Sequence, residues 1–405
     1  MLKKLILFSL ILGLITSCEN QGKKDGKTLE TLNQYLQSSP EKIPELTGEI
    51  SVEAASTAEQ EIHSFLEGKL KAEYKSEWDS MKLVLNDKEL KFRYRKFGEK
   101  PPQGWSLYIS MHGGGNTAPA VNDQQWRNQI NLYRPKEGIY LAPRAPTNTW
   151  NLWHEPHIDL LFQKLIEMAN ALEDINTNRV YLTGYSAGGD GTYQLAPRMA
   201  DQLAAAAMMA GHPNDASPLG LRNLPFAIHM GGDDGAYNRN KIAAEWKVKL
   251  DSLQKNDPKG YIHDVQIHEG KGHWMDRQDT VAIDWMAQFT RNPYPKKIVW
   301  KQSGVTHDRF YWLAVPAGSA KKDAEVIASV DGQTITIEKA EPVDTLFICL
   351  NDKLINLDQK VKVFYNSQLL YDAVPVRNVA SIWKSLSERN DEEQVFSAQI
   401  DLHLN

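Results

Sequence analysis

The sequence predicts an α/β protein in which helices cover both faces of a mostly parallel β-sheet. Between residues 82 and 292, short apolar runs typical of strands alternate with helical runs, which favours parallel strands joined by helices. The apolar runs are almost uninterrupted, as expected for strands that are buried on both faces. The run 158–172 has apolar residues at three- and four-residue spacing, which predicts an amphipathic helix.

Length and composition indicate a globular protein of two or three domains. The chain has 405 residues, of which 24% are charged and 41% hydrophobic, and this excludes collagen-like, coiled-coil and wholly disordered proteins. Its net charge of −5, with no basic stripe in the sequence, argues against binding to nucleic acid. Two cysteines, Cys18 and Cys349, are too few for a disulfide scaffold.

The N-terminal residues have the pattern of an export signal. Two lysines precede an apolar run, Leu5 to Ile15, that is too short to span a bilayer, and small residues then lead to Cys18. This arrangement resembles the lipobox of bacterial lipoproteins. The resemblance implies cleavage before Cys18, lipid attachment to this cysteine, and an exported protein anchored to a bacterial cell membrane. A plain signal peptide with a chance cysteine is the alternative.

Composition divides the chain into four predicted segments. They are a lipoprotein signal peptide over 1–17, a polar tether and helical N-terminal segment over 18–80, the α/β region over 81–295, and a small β-sandwich-like domain over 296–405. In the last segment short β-type runs dominate, among them Arg309–Val315, which is expected to be one strand. Cys349 lies in another apolar run and is expected to be a buried, inert thiol.

A candidate nucleophile lies where a predicted strand meets a predicted helix. The strand Val180–Thr183 runs into Gly184-Tyr185-Ser186-Ala187-Gly188, which has the pattern G-x-S-x-G. A nucleophilic serine must stand on a tight turn, and glycines on both sides remove the Cβ atoms that would collide there. We therefore predict that Ser186 is a nucleophile; a glycine-rich turn with a buried serine is the alternative.

A glycine-rich loop offers donors for an oxyanion. His112-Gly113-Gly114-Gly115 follows a predicted strand, so backbone N–H groups of Gly113 or Gly114 can approach a ligand closely. With the N–H of Ala187, they would stabilise the negative oxygen of a tetrahedral intermediate. His112 precedes Ser186 in the chain and is expected to brace the loop rather than act as a base.

The acid that would orient a catalytic base is expected after the next strand. Two neighbouring carboxylates, Asp233 and Asp234, follow the run that ends at Gly231. The Gly-x-x-Asp spacing from Gly231 favours Asp234, whereas Asp233 is the alternative and is expected to cap the turn.

The candidate base is His273, which follows a strand and a glycine-rich bend. An imidazole on such a loop can reach Ser186, accept its proton and return it to the leaving group. His268, within the strand, and His212, after the preceding strand, are the competing histidines.

The order Ser186, Asp234, His273 resembles the α/β-hydrolase superfamily. The short gaps between them resemble compact esterases of the phospholipase/carboxylesterase and polyhydroxybutyrate-depolymerase or feruloyl-esterase type, and the loop from His112 resembles the hormone-sensitive-lipase group. The resemblance covers roughly residues 82–292 and implies an ester hydrolase with a Ser-His-Asp triad. The β-rich C-terminal segment has no such match.

Tryptophans near the predicted site are candidates for binding a substrate. Trp150 and Trp153 lie between a strand and the long helix, where their rings are expected to stack on a sugar or an aromatic acyl group. Trp274, which follows His273, is a further candidate for binding the substrate. Packing of the loop is the alternative for Trp150 and Trp153. His154 and His157 have zinc-like spacing, but Pro156 lies between them and no third ligand is identifiable, so no metal or cofactor is expected.

Three functions are compatible with these motifs. The leading hypothesis is a serine hydrolase of carboxylic esters, with acyl groups on polysaccharides as a possible substrate and contact with a membrane only through the lipid anchor. The second is a serine peptidase that resembles the prolyl-oligopeptidase family. The segment between Cys18 and the first predicted strand is, however, too short for the large N-terminal propeller that is usual in that family. The third is a surface binding protein with an inactive hydrolase fold.

Overall fold

The computed structural model of the protein describes residues 21–38 and 46–404. The helices are α1 (21–37), α2 (Val52–Ser80), α3 (Pro119–Gln129), α4 (Pro156–Glu173), α5 (Ala187–Arg198), α6 (Arg239–Asn256), α7 (Val281–Met286) and α8 (Val379–Arg389). The predicted signal peptide and Cys18 lie outside the described residues. Among the residues described, no helix is both long and apolar enough to cross a lipid bilayer.

One eight-stranded sheet dominates the structure. Its strands are β1 (Lys82–Leu85), β2 (Lys88–Phe97), β3 (Trp105–Met111), β4 (Gly138–Arg144), β5 (Ile175–Tyr185), β6 (Ala205–Met209), β7 (Phe226–Gly231) and β8 (His263–His268). They lie in the order β1-β2-β4-β3-β5-β6-β7-β8, with β1 and β2 antiparallel and the other six parallel. The predicted mostly parallel sheet is therefore confirmed. Strands β4, β6 and β7 are buried along their whole length, which explains their continuous apolar sequences.

The parallel arrangement brings distant loops together. Strands β3 and β5 are neighbours and end level with each other, because Met111 pairs with Gly184. Strands β7 and β8 also end together, where Gly231 pairs with His268. The loops that follow all four strands consequently lie at one edge of the sheet, where parallel sheets place their ligand sites.

Nine further strands form two smaller sheets. They are β9 (Lys297–Lys301), β10 (Arg309–Phe310), β11 (Leu313–Ala314), β12 (Glu325–Asp331), β13 (Thr334–Glu341), β14 (Thr345–Leu350), β15 (Val361–Tyr365), β16 (Gln368–Ala373) and β17 (Ala398–His403). One sheet has the order β10-β11-β14-β17 and the other β16-β15-β13-β12-β9, and both contribute to one buried apolar cluster. Cys349 on β14 is buried, and this burial raises the pKa of its thiol to about 11.

The prediction of a single strand over Arg309–Val315 is wrong. The chain turns at Tyr311, which has a left-handed φ of 54°, so β10 and β11 pair with each other as a short antiparallel hairpin. The turn lets the buried Tyr311 hydroxyl donate to the carbonyl of Ala200, 2.9 Å away, in the α/β region. A tertiary contact therefore overrides the local preference for a continuous strand.

The N-terminal helices pack on both neighbouring regions. On α2, Trp78 lies 5.1 Å from the ring centres of Phe92 and of Tyr94 on β2. The remaining apolar residues of α1 and α2 form a cluster with α8, in which Leu32, Ile62 and Val379 are completely buried. This segment thus joins one face of the large sheet to the C-terminal region.

Candidate active site

Ser186 stands on a strained turn between β5 and α5. Its backbone φ of 57° and ψ of −118° lie where non-glycine residues are rare, and its N–H donates to the carbonyl of Met209 at 2.9 Å. The turn is tight enough that a Cβ on Gly184 would lie 2.2 Å from the carbonyl oxygen of Gly188. The serine is held by its surroundings in a conformation that keeps its side chain at the edge of the sheet.

His273 contacts both Ser186 and Asp234. Its Nε2 lies 3.0 Å from Ser186 Oγ, and its Nδ1 lies 2.7 Å from Asp234 Oδ2. The Asp234 side chain is 2% exposed and that of His273 is 43% exposed. Because an ionised carboxylate can only accept, Nδ1 carries the proton that it donates to Asp234, which leaves the Nε2 lone pair to accept the hydroxyl proton of Ser186.

The structure separates the competing residues from this arrangement. Asp233 is exposed, and its backbone N–H donates to the carbonyl of Lys271 at 2.8 Å. His268 Nε2 lies 3.1 Å from His229 Nδ1. His212 Nδ1 accepts from the N–H of Asn214 at 2.9 Å. The sequence thus left two acids and three histidines open, and Asp234 and His273 are the ones that lie in line with Ser186.

The glycine loop after β3 lies against Ser186. A Cβ on Gly113 would be 3.2 Å from the Cβ of Ser186. The N–H of Gly115 already donates to Asn122 Oδ1 at 2.9 Å, which leaves the N–H groups of Gly113 and Gly114 as the donors of this loop. Ala187, at the start of α5, offers an N–H from the other side of the serine.

His112 braces the loop, as the sequence suggested. It is completely buried, and this burial lowers its pKa to about 3, so the imidazole is neutral. Its Nδ1–H donates to the carbonyl of Gly113 at 2.6 Å, and its Nε2 accepts from the N–H of Ala145 at 3.2 Å. Both ring nitrogens are therefore used within the scaffold.

The three predicted tryptophans have different surroundings. Trp150 is 60% exposed and lines the cleft beside Ser186. Trp153 is completely buried, and its Nε1 donates to the carbonyl of His112 at 2.7 Å. The expected substrate contact of Trp153 is therefore wrong, because its ring packs the loop. Trp274 is 51% exposed and lies 5.7 Å from the ring of Tyr185, outside the lining of the cleft.

The cleft has a volume of about 370 Å³ and is lined by polar side chains as well as by Trp150. Among them is Asp190, whose carboxylate accepts from the N–H of His212 at 2.6 Å and whose pKa is raised by burial. Arg239 also lines the cleft, with one terminal nitrogen 3.7 Å from Asp234 Oδ1 and its guanidinium 4.8 Å from the ring centre of Tyr237. Aromatic rings and hydrogen-bonding groups thus share the lining of the space next to the serine.

Sequence reasoning missed two residues that hold the site. The hydroxyl of Tyr185 donates to the carbonyl of His273 at 2.7 Å and accepts from the N–H of Met275 at 3.3 Å. Asn122 is buried, and besides binding Gly115 it donates to Asn148 at 2.8 Å. Tyr185 lies inside the G-x-S-x-G motif and could have been noticed there, whereas nothing in the sequence distinguishes Asn122 from other helix residues.

No metal site is assembled from the candidate histidines. Burial lowers the pKa of His154 to about 4, and His157 Nδ1 lies 3.4 Å from Glu155 Oε2. Within residues 21–38 and 46–404, no three side chains of His, Cys, Asp or Glu converge as ligands of one ion.

Comparison with known proteins finds similarity to esterases. No family model matches the chain. The bifunctional acetylxylan esterase/xylanase XynS20E of Neocallimastix patriciarum is 30% identical over 132 residues, which are 32% of this chain and 19% of that protein. A thermostable esterase of known structure is 20% identical, with a TM-score of 0.39, over 52% of this chain and 62% of that chain. A ferulic acid esterase is 14% identical, with a TM-score of 0.37, over 51% of this chain and 96% of that chain. The chain therefore spans less than a fifth of the curated relative that it matches.

Proposed function

We propose that the protein is a serine hydrolase of carboxylic esters. The observation that carries this proposal is the position of His273, whose two ring nitrogens lie 3.0 Å from Ser186 Oγ and 2.7 Å from Asp234. A serine hydroxyl is a weak nucleophile unless a base removes its proton, and this geometry supplies the base and the group that orients it.

The proposed reaction has two halves. As Ser186 Oγ attacks the ester carbonyl carbon, His273 Nε2 takes the hydroxyl proton and then gives it to the leaving alcohol oxygen, which forms an acyl-enzyme. Water then attacks the acyl carbon while His273 accepts its proton, and the acid leaves as the proton returns to Ser186. Asp234 keeps the imidazole in the required tautomer and stabilises its charged form in both halves.

The negative oxygen of each tetrahedral intermediate needs hydrogen-bond donors. Ala187 offers its N–H at the start of α5, and Gly113 or Gly114 offers a second from the loop held by Asn122. A donor of this kind typically contributes about 10²–10³-fold to the rate.

Acyl groups on a polysaccharide are the proposed substrate class. Trp150 and Tyr237 are 60% and 76% exposed and lie in the lining of the cleft, where their rings can stack on sugar faces. Asp190, Arg239 and Asn214 supply acceptors and donors for hydroxyl groups in the same cleft. The partial similarity to an acetylxylan esterase supports this class.

Export and lipid attachment at Cys18 form part of the proposal. They rest on the two lysines, the apolar run and the small residues before the cysteine. Expression in a bacterium that processes lipoproteins should place the protein in the detergent phase on Triton X-114 partition, and Cys18→Ala should move it to the aqueous phase. The same distribution between the two phases for Cys18→Ala and its parent would show that Cys18 carries no lipid anchor.

Turnover of matched model substrates tests the reaction. p-Nitrophenyl acetate should be hydrolysed faster than peptide p-nitroanilides, since the cleft is proposed to act on esters. Ser186→Ala should lower kcat by at least about 10⁴-fold. Ser110→Ala, on the buried strand β3, is the matched serine control and should retain turnover. Faster cleavage of the anilides would favour a peptidase, and an active Ser186→Ala would remove the proposed nucleophile.

A further inference from the structure

Five of the arginines form no ion pair with a carboxylate of the described residues, whereas all the others do. The chain has 14 arginines, and all of them lie in the described residues. Nine have a carboxylate within 4.0 Å, namely Arg144, Arg179, Arg198, Arg222, Arg239, Arg291, Arg309, Arg377 and Arg389. No ion pair with any described carboxylate is made by the other five, which are Arg93, Arg95, Arg127, Arg134 and Arg277.

Two of these arginines lie on one face of strand β2, which lies between β1 and β4. Side chains alternate along a strand, and Phe92 and Tyr94 point to the face that packs against α2. Arg93 and Arg95 consequently point to the opposite face. The pairing of β2 with β4 places Arg95 on the face that α3 covers. Arg95 pairs with Tyr140, and the Tyr140 hydroxyl donates to the carbonyl of Gln129 at the end of α3.

The other three surround α3 on that same face. Arg127 is exposed on α3, and the guanidinium of Arg93 lies 5.6 Å from the ring centre of the adjacent Trp126. Arg134 is exposed in the segment that follows α3. Arg277 reaches this segment, because it donates to the carbonyl of Leu132 at 3.0 Å. We call this group of five the arginine face.

Two acids that line the pocket on the arginine face are already paired with other cations. Asp123 accepts from Arg144 at 2.8 Å, and Glu89 lies 2.5 Å from Lys82 and 3.3 Å from Lys91. Gathering five unpaired cations in a protein with a net charge of −5 costs like-charge repulsion, which a bound anion would relieve. Guanidinium groups match carboxylates with two parallel hydrogen bonds.

Hydrogen bonds connect the arginine face to the glycine loop beside Ser186. A pocket of about 270 Å³ on this face is lined by Lys91, Trp126, Arg127 and Arg144, together with the paired carboxylates Glu89 and Asp123. Arg144 donates to Asn148 at 2.6 Å, and Asn148 also accepts from Asn122, whose other amide atom binds the glycine loop.

The other end of the arginine face also reaches the site. Arg277 lies in the loop after β8 that carries His273. The loop that carries His273 therefore also contributes a cation to the arginine face.

We propose that the arginine face binds the carboxylates of an acidic polysaccharide, such as a chain with uronic acid residues, and so presents its ester to Ser186. This inference rests on the proposed function and names the substrate more narrowly. The pocket beside Trp126 and Arg127 is a depression that fits a sugar chain better than a flat lipid surface. Sequence inspection finds no basic stripe because the arginines come from three separate segments that only the fold unites.

Binding is measured in a Ser186→Ala background, so that hydrolysis plays no part. The ligands are polygalacturonate and its fully methyl-esterified form, which differ in charge but share one backbone. The test variant is Arg93→Gln/Arg95→Gln/Arg127→Gln. Its matched control is Lys69→Gln/Lys71→Gln/Lys75→Gln on the exposed side of α2, which removes the same charge from the opposite face.

Affinity electrophoresis at about 50 mM salt should show binding to polygalacturonate that the arginine variant weakens about tenfold, as expected for three surface ion pairs. The control should bind within about twofold of the parent. The difference should vanish near 0.5 M salt, where screening is almost complete at contact distance. Circular dichroism and the thermal midpoint verify that both variants fold.

Two results would overturn the inference. One is equal binding of polygalacturonate by the arginine variant and its parent, or equal binding of the charged and esterified polymers by the parent. The other is arginine-dependent binding to phosphatidylglycerol vesicles without binding to polygalacturonate, which would assign the face to a lipid surface. If the protein with Ser186 intact hydrolysed no ester but still showed arginine-dependent binding of polygalacturonate, this result would count against the proposed reaction alone.

Discussion

Polar and aromatic residues have different surroundings at the edge of the large sheet and in the C-terminal sheets. At the edge, Ser186 is held in a rare backbone conformation, and His273 remains 43% exposed. In the C-terminal region, Phe310 and Trp312 are buried, and Arg377 is bound by two carboxylates at 2.6 and 2.8 Å. The first region leaves the imidazole of His273 accessible to a ligand, whereas the second encloses aromatic rings and gives Arg377 its partners within the fold.

This difference separates residues that act on a ligand from residues that hold the fold. Strain and exposure cost stability, so they persist where the surroundings enforce them, and such places are frequently functional. A buried aromatic run such as Phe310 to Leu313 contributes to stability through the apolar surface that it removes from water. Substitutions at the edge of the large sheet should therefore lower turnover, whereas substitutions in the C-terminal sheets should lower stability.

The largest effect on turnover after loss of the serine should come from Asp234. Asp234→Asn keeps the shape of the side chain but removes its charge and introduces an NH2 group that can donate to Nδ1 of His273, so the imidazole can adopt the wrong tautomer. We expect kcat for p-nitrophenyl acetate to fall roughly 10³–10⁴-fold. The matched control is Asp233→Asn, which should stay within about threefold because Asp233 is exposed and contacts neither Ser186 nor His273. The opposite ranking would reassign the acid.

Trp312→Ala should damage stability and leave the chemistry intact. The Trp312 side chain is completely buried, and its Nε1 donates to the carbonyl of Pro295 at 2.7 Å. We expect the free energy of unfolding to fall by about 3–5 kcal/mol, while kcat of the folded fraction is unchanged. Urea unfolding and turnover of the same sample measure both quantities.

Trp150→Ala provides the reverse comparison with Trp312. Trp150 is 60% exposed, so its removal should change the free energy of unfolding by less than about 0.5 kcal/mol. Because its ring lines the cleft, KM for an acetylated xylan should rise severalfold. A large loss of stability here, or none in Trp312→Ala, would contradict the division between the two regions.

Asn122→Leu should weaken catalysis by a smaller factor than Asp234→Asn. The substitution keeps the volume but removes the acceptor for the N–H of Gly115 and the donor to Asn148, so the glycine loop loses its fixed position. A displacement of about 1 Å at such a site costs up to about 100-fold, and we expect kcat to fall about 10- to 100-fold. Asn128→Leu, on the exposed side of α3, is the control. Equal turnover in both variants would show that the loop keeps its position without Asn122.

His112 predicts how stability depends on pH. Burial lowers its pKa to about 3, whereas in the unfolded chain it is about 6.5. Between these values the unfolded chain binds a proton that the folded protein does not, so the free energy of unfolding decreases as the pH falls from 7 towards 3. In His112→Gln the decrease between pH 7 and pH 5 should be smaller by about 2 kcal/mol. An identical pH dependence would mean that the pKa of His112 is the same in the folded and unfolded protein.

Much of the fold and of the candidate site could be predicted from local sequence. Continuous apolar runs located the parallel strands, and the glycines around Ser186 identified a tight turn. Helix α3 was not predicted because its buried residues are two polar ones, Asn122 and Gln129, so it lacks an apolar stripe. The turn at Tyr311 depends on a contact with Ala200, more than a hundred residues away, which no local pattern records.

The choice between neighbouring candidates also required the fold. Asp233 and Asp234 differ in which one points inward, and this is decided by the turn after β7, where the N–H of Asp234 donates to the carbonyl of Gly231 at 3.1 Å. Trp150 and Trp153 lie three residues apart, yet one is exposed in the cleft and the other is buried beneath it. The arginine face likewise forms only when β2, α3 and the loop after β8 come together.

Labelling with a fluorophosphonate tests directly whether Ser186 is an activated nucleophile, because the probe bonds covalently to a serine oxygen that an adjacent base has activated. We expect one label per chain, located by mass spectrometry on Ser186, with no label in Ser186→Ala and much slower labelling in His273→Ala. A folded protein that is not labelled, or a label at another residue that persists in Ser186→Ala, would show that Ser186 is not the nucleophile.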